Sequence, residues 1–376
     1  MDMTYEHIID TGRDKQYFYV LSLEYPFHEA LERYKRLLIE INDKQQMILF
    51  ERIFGYQRYR HKVIAAGKDV MKKRILPEHP VSFIEGGSVS GMPIAGIIIH
   101  AVGSETTVRY IQDQGTVYGC HYKIGSVERL SVEGIQDPLR ASGFSRALSE
   151  EYDQVNRIIL STGFDTTDLV RTWHYIHPID NFYIPFNHER KNFFKRSNID
   201  YLKQPESVPA STCIEGKCWG TGYSSMNLYY IKRSADVKIR RIYNSGQKEA
   251  DSHSYQYGPT FSRALHAVQP GLEELQISGT ASIGEDGITR YVDDPDRQIE
   301  RTLLMVKGLL EQASMGFSDI SYATCIFKHS SDYSVFREVV QRLHIPDFPH
   351  IPIQGNICRD DLLFELDGIA AKKREG

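Results

Sequence analysis

Tryptophan occurs only twice and cysteine only five times in the 376 residues. The thiols, Cys120, Cys213, Cys218, Cys325 and Cys358, are odd in number and scattered, which excludes a disulfide framework. Cys213 and Cys218 have no second pair to complete a four-ligand zinc site, and His174 and His177 have no third ligand in view. Reduced thiols suit a reducing compartment, so the expected location is cytoplasmic. Neither sign of charge prevails: 45 Lys and Arg stand against 49 Asp and Glu, a net −4. That balance gives no reason to expect nucleic acid or an anionic membrane as partner. The longest apolar run, Pro93 to Val102, is half of the roughly 20 residues a membrane span needs. The N-terminus, Met-Asp-Met-Thr-Tyr-Glu, has no basic stretch leading into an apolar one, so no signal peptide is expected. Walker, dinucleotide and Ser-His-Asp patterns are also missing, and Gly284-Glu-Asp-Gly287 reads as a turn. No metal and no organic cofactor are expected.

What the chain does have is regular apolar spacing. Phe27, Ala30, Leu31, Tyr34, Leu37, Leu38 and Ile41 recur at three- and four-residue intervals, the mark of an amphipathic helix. The reading continues as helix to about Tyr56, and Pro77 and Pro80 mark a boundary. Beyond it the element order repeats. Strands at Ile94–Val102 and Thr116–Tyr122 lead to a helix over 145–162, a strand over 168–176, a helix over 187–196 and a hairpin over 211–233. Strands over 237–243 and 274–283 then lead to a helix over 295–313, a strand over 321–328, a helix over 332–343 and closing strands over 351–369. Gln154-Val-Asn-Arg157 echoes Gln298-Ile-Glu-Arg301, and each helix ends in Gly-Phe.

The expected fold is α/β (α+β): two tandem domains, each a mixed sheet with helices on one face. Residues 1–80 form an N-terminal helical appendage, 81–235 the first domain and 236–376 the second. A sheet covered on one side has an open face that must be buried, by the other copy or by another chain, so an oligomer or an intrachain pseudo-oligomer is implied.

Three segments carry a family resemblance. Ile277-Ser-Gly-Thr-Ala-Ser-Ile283, followed by Gln298-Ile-Glu-Arg-Thr-Leu-Leu304, resembles the signature of the RidA (YjgF) superfamily. Cys358-Arg-Asp-Asp-Leu-Leu-Phe-Glu-Leu-Asp-Gly-Ile-Ala370 resembles its closing strand, and more closely that of the chorismatases. Upstream, Phe83-Ile-Glu-Gly-Gly, Ile94–Val102 and Arg171-Thr-Trp-His-Tyr175 resemble further chorismatase stretches. In order and across some 290 residues, these segments are similar to the chorismatase branch of that superfamily. The two units are then expected to be RidA-like.

The resemblance implies cleavage of the enolpyruvyl ether of chorismate or a related dicarboxylate, releasing pyruvate and a dihydroxycyclohexadiene acid or a hydroxybenzoate. It implies Glu365 as the catalytic acid. It implies substrate contacts from Arg171, Lys328, Tyr257 and Arg263, with Arg359 holding a carboxylate and Gly279 letting backbone approach the ligand. Asn244-Ser-Gly-Gln247 departs from the family by losing an arginine, the Tyr257–Ala264 stretch is shortened, and Lys328 replaces a guanidinium with a point charge. The chemistry needs one carboxylic acid that donates a proton near neutral pH, and cations for two carboxylates. The bland alternative makes Glu365, which alternates with Phe364, a solvated strand residue and Arg171 an ordinary ion pair. On that alternative the chain is a RidA-like small-molecule binding protein, or an imine deaminase, without chorismate activity.

Overall fold

The computed structural model describes residues 4–374 except 13, 137–142, 200–204, 218, 221 and 244–260. Three sheets follow one another along the chain. The first is built from β1 (Thr4–Asp10), β2 (Lys15–Ser22), β3 (Met47–Gly55), β4 (Val81–Glu85) and β6 (Ile94–Val102), in the order β1-β2-β6-β3-β4. Helices α1 (Phe27–Asp43) and α2 (Gln57–Arg74) are the crossovers. The second has the order β11-β10-β12-β9-β8-β7, from β7 (Val108–Asp113), β8 (Thr116–Ile124), β9 (Val127–Gln136), β10 (Leu169–Ile176), β11 (Ala210–Glu215) and β12 (Ser224–Ile231), with α3 (Phe144–Thr162) and α4 (Ile179–Arg196). The third runs β13-β14-β15-β18-β16-β17-β5. Its strands are β13 (Lys238–Ile242), β14 (Ala264–Gln269), β15 (Leu272–Ala281), β16 (Ile320–Phe327), β17 (His350–Gln354) and β18 (Phe364–Lys373). It carries α5 (Pro295–Gln312) and α6 (Asp332–Arg342), and its edge takes in β5 (Gly87–Ser88) from the N-terminal region.

The repeat read from the sequence is present in local detail. After α3, the Asp168 carboxylate accepts the Asp165 N–H at 2.9 Å; after α5, Asp319 accepts the Gly316 N–H at 2.8 Å. In each case the acidic residue caps a 3-10 turn that feeds the central strand.

The N-terminal region differs from the helical appendage expected for residues 1–80. It is a third mixed sheet with two helices, and its last strands, β4 and β6, come from the segment assigned to the next domain. The stretch read as continuing helix, Met-Ile-Leu-Phe-Glu-Arg-Ile-Phe-Gly, is β3. Buried on both faces, it lacks the alternation that marks a half-exposed strand. The hairpin expected over 211–233 is also absent: β10 lies between β11 and β12, parallel to one and antiparallel to the other. Strand β14 adds to the strands expected for this region.

The burial pattern explains the assembly. Each sheet packs one face on its own helices: Ile53, Ile97 and Ile99 against α1 and α2, Leu130 and Leu228 against α3 and α4, Ile277 and Leu366 against α5 and α6. The opposite faces meet in one shared core that includes Phe18, Phe50 and Ile98, Tyr122, Trp173 and Tyr229, and Leu265, Tyr322 and Ile369. The open face of each sheet is thus buried by the other sheets of the same chain, the intrachain solution to the requirement set out above.

Candidate functional site

The site lies where the second and third sheets meet. Strand β15 carries one extra residue against β18: Ile277 pairs with Gly368, but Thr280 pairs with Leu366. This bulge at Ser278-Gly279 re-aims the backbone and opens a notch beside β18. The Glu365 side chain fills it: a Cβ on Gly279 would collide with Glu365 Oε1 and touch the Thr212 methyl. Gly279 is therefore required by the close approach of the Glu365 side chain.

Glu365 is 5% exposed, which disposes of the solvated-strand alternative for this side chain. Burial pushes its carboxyl up to about 8, and the nearby Asp367 carboxylate pushes the same way. Arg171 and Arg263 pull it down without cancelling the rise. It is a carboxylic acid that still holds its proton near neutral pH, with two guanidinium groups close enough to act on it.

Arg171, in the first residue pair of β10 with β11, is fully buried. Its Nη2 donates to Asp367 Oδ2 at 2.8 Å and to Thr212 Oγ1 at 2.6 Å. Its guanidinium lies 4.6 Å from the centre of the Trp173 ring. Nε and Nη1 have no acceptor among the described residues, which leaves part of the guanidinium uncommitted among them. Thr212 Oγ1 donates to Asp367 at 2.6 Å and accepts the Gly279 N–H at 3.1 Å, joining both sheets through one hydroxyl. Arg263 reaches the site from the segment before β14 and stacks 4.8 Å from the Phe261 ring.

Sequence reasoning missed several members of this wall. Asp367 was within reach of it, since it stands two residues after Glu365 on the same face of β18. Thr212 gave no signal. Arg190, buried on α4, donates to Ser211 Oγ at 3.1 Å and Asn187 Oδ1 at 2.7 Å and lies 5.5 Å from the centre of the Phe261 ring. Nothing in its local sequence marks it.

Other expected site residues stand elsewhere. Lys328 Nζ binds the Asp360 carboxylate at 2.5 Å and the Asp360 carbonyl, and no hydrogen bond or ion pair joins it to Arg171 or Glu365. Arg359 Nη1 donates to Gly287 O at 2.6 Å, tying its loop to the 284–287 turn. Tyr257 lies outside the described residues. Cys358 neighbours Glu365, and burial pushes its thiol up to about 12, which suits a packed thiol and not a nucleophile. His174 Nε2 and the Tyr152 hydroxyl are 3.2 Å apart, and His177 Nδ1 meets Glu215 at 2.6 Å. Among the described residues there is no cluster of three metal-binding side chains, and no helix is long and apolar enough to cross a membrane.

Comparison with known proteins gives the same family as the motifs. No family model matches. The chain is 25% identical over 225 residues to a chorismatase of Streptomyces rapamycinicus, covering 54% of this chain and 64% of that one. It is 23% identical over 230 residues to a 3-hydroxybenzoate synthase of Streptomyces hygroscopicus, covering 55% of this chain and again 64% of the relative. The match therefore spans somewhat less than two thirds of these relatives. A crystal structure of a chorismatase superposes with a TM-score of 0.63 at 16% identity, over 97% of this chain and 99% of that one. In sequence and in fold the chain is chorismatase-like.

Proposed function

We propose, taking this chain as a member of the chorismatase family, that it is an enzyme cleaving the enolpyruvyl ether of chorismate or a closely related dicarboxylate. One observation carries the reading: a buried carboxylic acid, raised to about 8, stands between the sheets with Arg171 and Arg263 near it. Enol-ether cleavage begins with proton transfer to the methylene carbon. Glu365 gives up its proton there, and the ether carbon becomes an oxocarbenium centre. Water, or a hydroxyl of the substrate, adds to that centre and loses a proton, which restores Glu365. Where water added, the hemiketal hydroxyl loses its proton as the ring oxygen takes one up, the bond between that oxygen and the carbon breaks, and pyruvate and a dihydroxycyclohexadiene acid are freed. Where a substrate hydroxyl added, loss of a ring proton with aromatisation first opens the ketal to a hemiketal, which then collapses to pyruvate and a hydroxybenzoate. General acid catalysis of this kind is worth ~10²–10⁴ in rate.

The cations have a second task. Arg171 keeps two donor nitrogens, Nε and Nη1, beyond the Nη2 it gives Asp367 and Thr212, enough for one substrate carboxylate. Arg263, with Arg190 also beside Phe261, supplies positive charge for the other. The uncommitted edge of Arg171 favours a bound dicarboxylate over a purely structural ion pair. The four described cysteines are free thiols, in keeping with a reducing, cytoplasmic location.

The test is incubation with chorismate, coupled to a pyruvate assay, with chromatography of the ring product. Pyruvate in step with a dihydroxycyclohexadiene acid or hydroxybenzoate is expected. Saturable chorismate binding without pyruvate would instead leave a binding protein, and ammonia release from imines a deaminase.

A further inference from the structure

The segment between β17 and β18 has no regular structure over residues 355–363, yet it delivers Cys358 and the start of the Glu365 strand to the site. A buried irregular segment needs partners for its backbone polar groups. Lys328 supplies some of them, its N–H donating to Leu363 O and its Nζ to Asp360 O, and one further side chain serves two more. Gln298, on the first turns of α5 and wholly buried, accepts the Leu363 N–H at 2.9 Å through Oε1. Through Nε2 it donates to Asp361 O at 2.9 Å and to Tyr291 O at 3.1 Å. Tyr291 belongs to a tight turn in which it and Asp293 hold φ of 58° and 59°. That conformation is costly for a tyrosine and persists only where its surroundings fix it. The same two segments are joined again by Thr289 Oγ1 donating to Asp361 Oδ1 at 2.8 Å and by Arg359 on Gly287 O. Helix α5 is itself anchored, by the Asp294 cap and by Ile299, Leu303 and Val306 in the core.

We propose that Gln298 is a positioning residue: from the rigid start of α5 it fixes the 358–363 segment, and with it the depth and direction of Glu365, without touching substrate. The proposal rests on the reading of Glu365 as proton donor. Its reach follows from spacing, since the anchored Leu363 amide is two residues from Glu365, and misplacing a reacting group by about 1 Å can cost ~10²-fold in rate.

The experiment compares wild type, Gln298→Met and Gln298→Glu, following amide exchange of the 358–366 region by mass spectrometry alongside pyruvate release from chorismate. In Gln298→Met, exchange in this region should rise about tenfold or more, while strand β16 is unchanged. Its kcat should fall roughly tenfold to a hundredfold, with KM within about twofold, because the cations sit on other elements. Gln298→Glu keeps the acceptor but loses the donor. Its kcat relative to wild type should recover as pH drops toward about 5, where the introduced carboxyl regains a proton to donate. A purely structural side chain would lower the melting temperature and leave kcat per folded molecule, and the pH dependence of that ratio, untouched; this result overturns the proposal. Unchanged exchange overturns it as well. If wild type itself releases no pyruvate, faster exchange in Gln298→Met upholds the anchoring, and it is the functional reading that falls.

Discussion

The junction of the second and third sheets and the junction of the first and second are built on the same backbone plan. Strand β9 has the same one-residue bulge against β12 that β15 has against β18, and it too falls on a glycine, Gly134, with φ of 70°. The side chains then diverge. Where the third sheet has Ser278, the second has Glu133, gripped by Arg52 at 2.9 and 2.7 Å, with Arg52 also stacked 3.7 Å over Trp173. Where β18 carries Glu365 and Asp367, β12 carries Ser225 and Asn227, and Asn227 simply accepts the Gly134 N–H at 2.8 Å. At the junction of the third sheet with the first, the place of Glu365 is taken by Gly96, against which the Ile351 side chain packs. The notch of the second sheet is plugged by an ion pair, while that of the third holds a buried acid beside an arginine with donors to spare. On the proposed function, the fold supplies the notch and charge placement decides which notch does chemistry.

Glu365→Gln tests this contrast most directly. It preserves shape and removes the transferable proton, so turnover of chorismate should drop ~10²–10⁴-fold while binding, read by calorimetry, is retained. Wild-type turnover in this variant would show that the notch is not the reaction centre. The opposite behaviour is expected at the plugged junction. Arg52→Met leaves Glu133 charged and buried, and should cost about 3–5 kcal/mol in urea unfolding, with kcat of the folded fraction nearly intact.

The two glycines sharpen the comparison. Gly279→Ala drives a methyl into Glu365, and kcat should fall about tenfold or more with little loss of stability. Gly134→Ala faces Val81 O at 3.1 Å and a left-handed φ. It should cost about 1–2 kcal/mol of stability and leave kcat alone. The last contrast is in pH dependence. Glu365 has a folded pKa of about 8 against an ordinary 4.5, so between these values the folded chain holds more proton than the unfolded one. Stability is then lost as pH rises through that window and levels off above it. Glu365→Gln lacks the group, so its melting temperature should gain on wild type by a few degrees between pH 5 and pH 9.

Much of the second and third sheets was legible because α3 and α5 are strongly amphipathic and their Gly-Phe stops and capping aspartates are local signals. The N-terminal sheet was not, because β3 is apolar throughout and reads as well as helix as strand until its neighbours are known. The site was legible only through motif residues: Glu365, Gly279 and Arg171 are brought together, and Arg263 joins them. Lys328 was misleading because its partner, Asp360, lies in an irregular segment with no periodicity to place it. Thr212 matters through bonds to Arg171 and Asp367, 41 and 155 residues away, and Arg190 through Ser211, 21 residues away, and no spacing rule encodes those.

The two residues of β5 have a consequence for how the chain can be cut. They pair Ser88 with Ile353 and Gly87 with Gln354, so the outer strand of the C-terminal sheet is finished by a piece of the N-terminal region. A fragment beginning near residue 236 would present β17 as a bare edge, with the isoleucines that now face the first sheet turned to water. Such a fragment is expected to aggregate on expression, and limited proteolysis should yield either the intact chain or small peptides, with no stable C-terminal half in between.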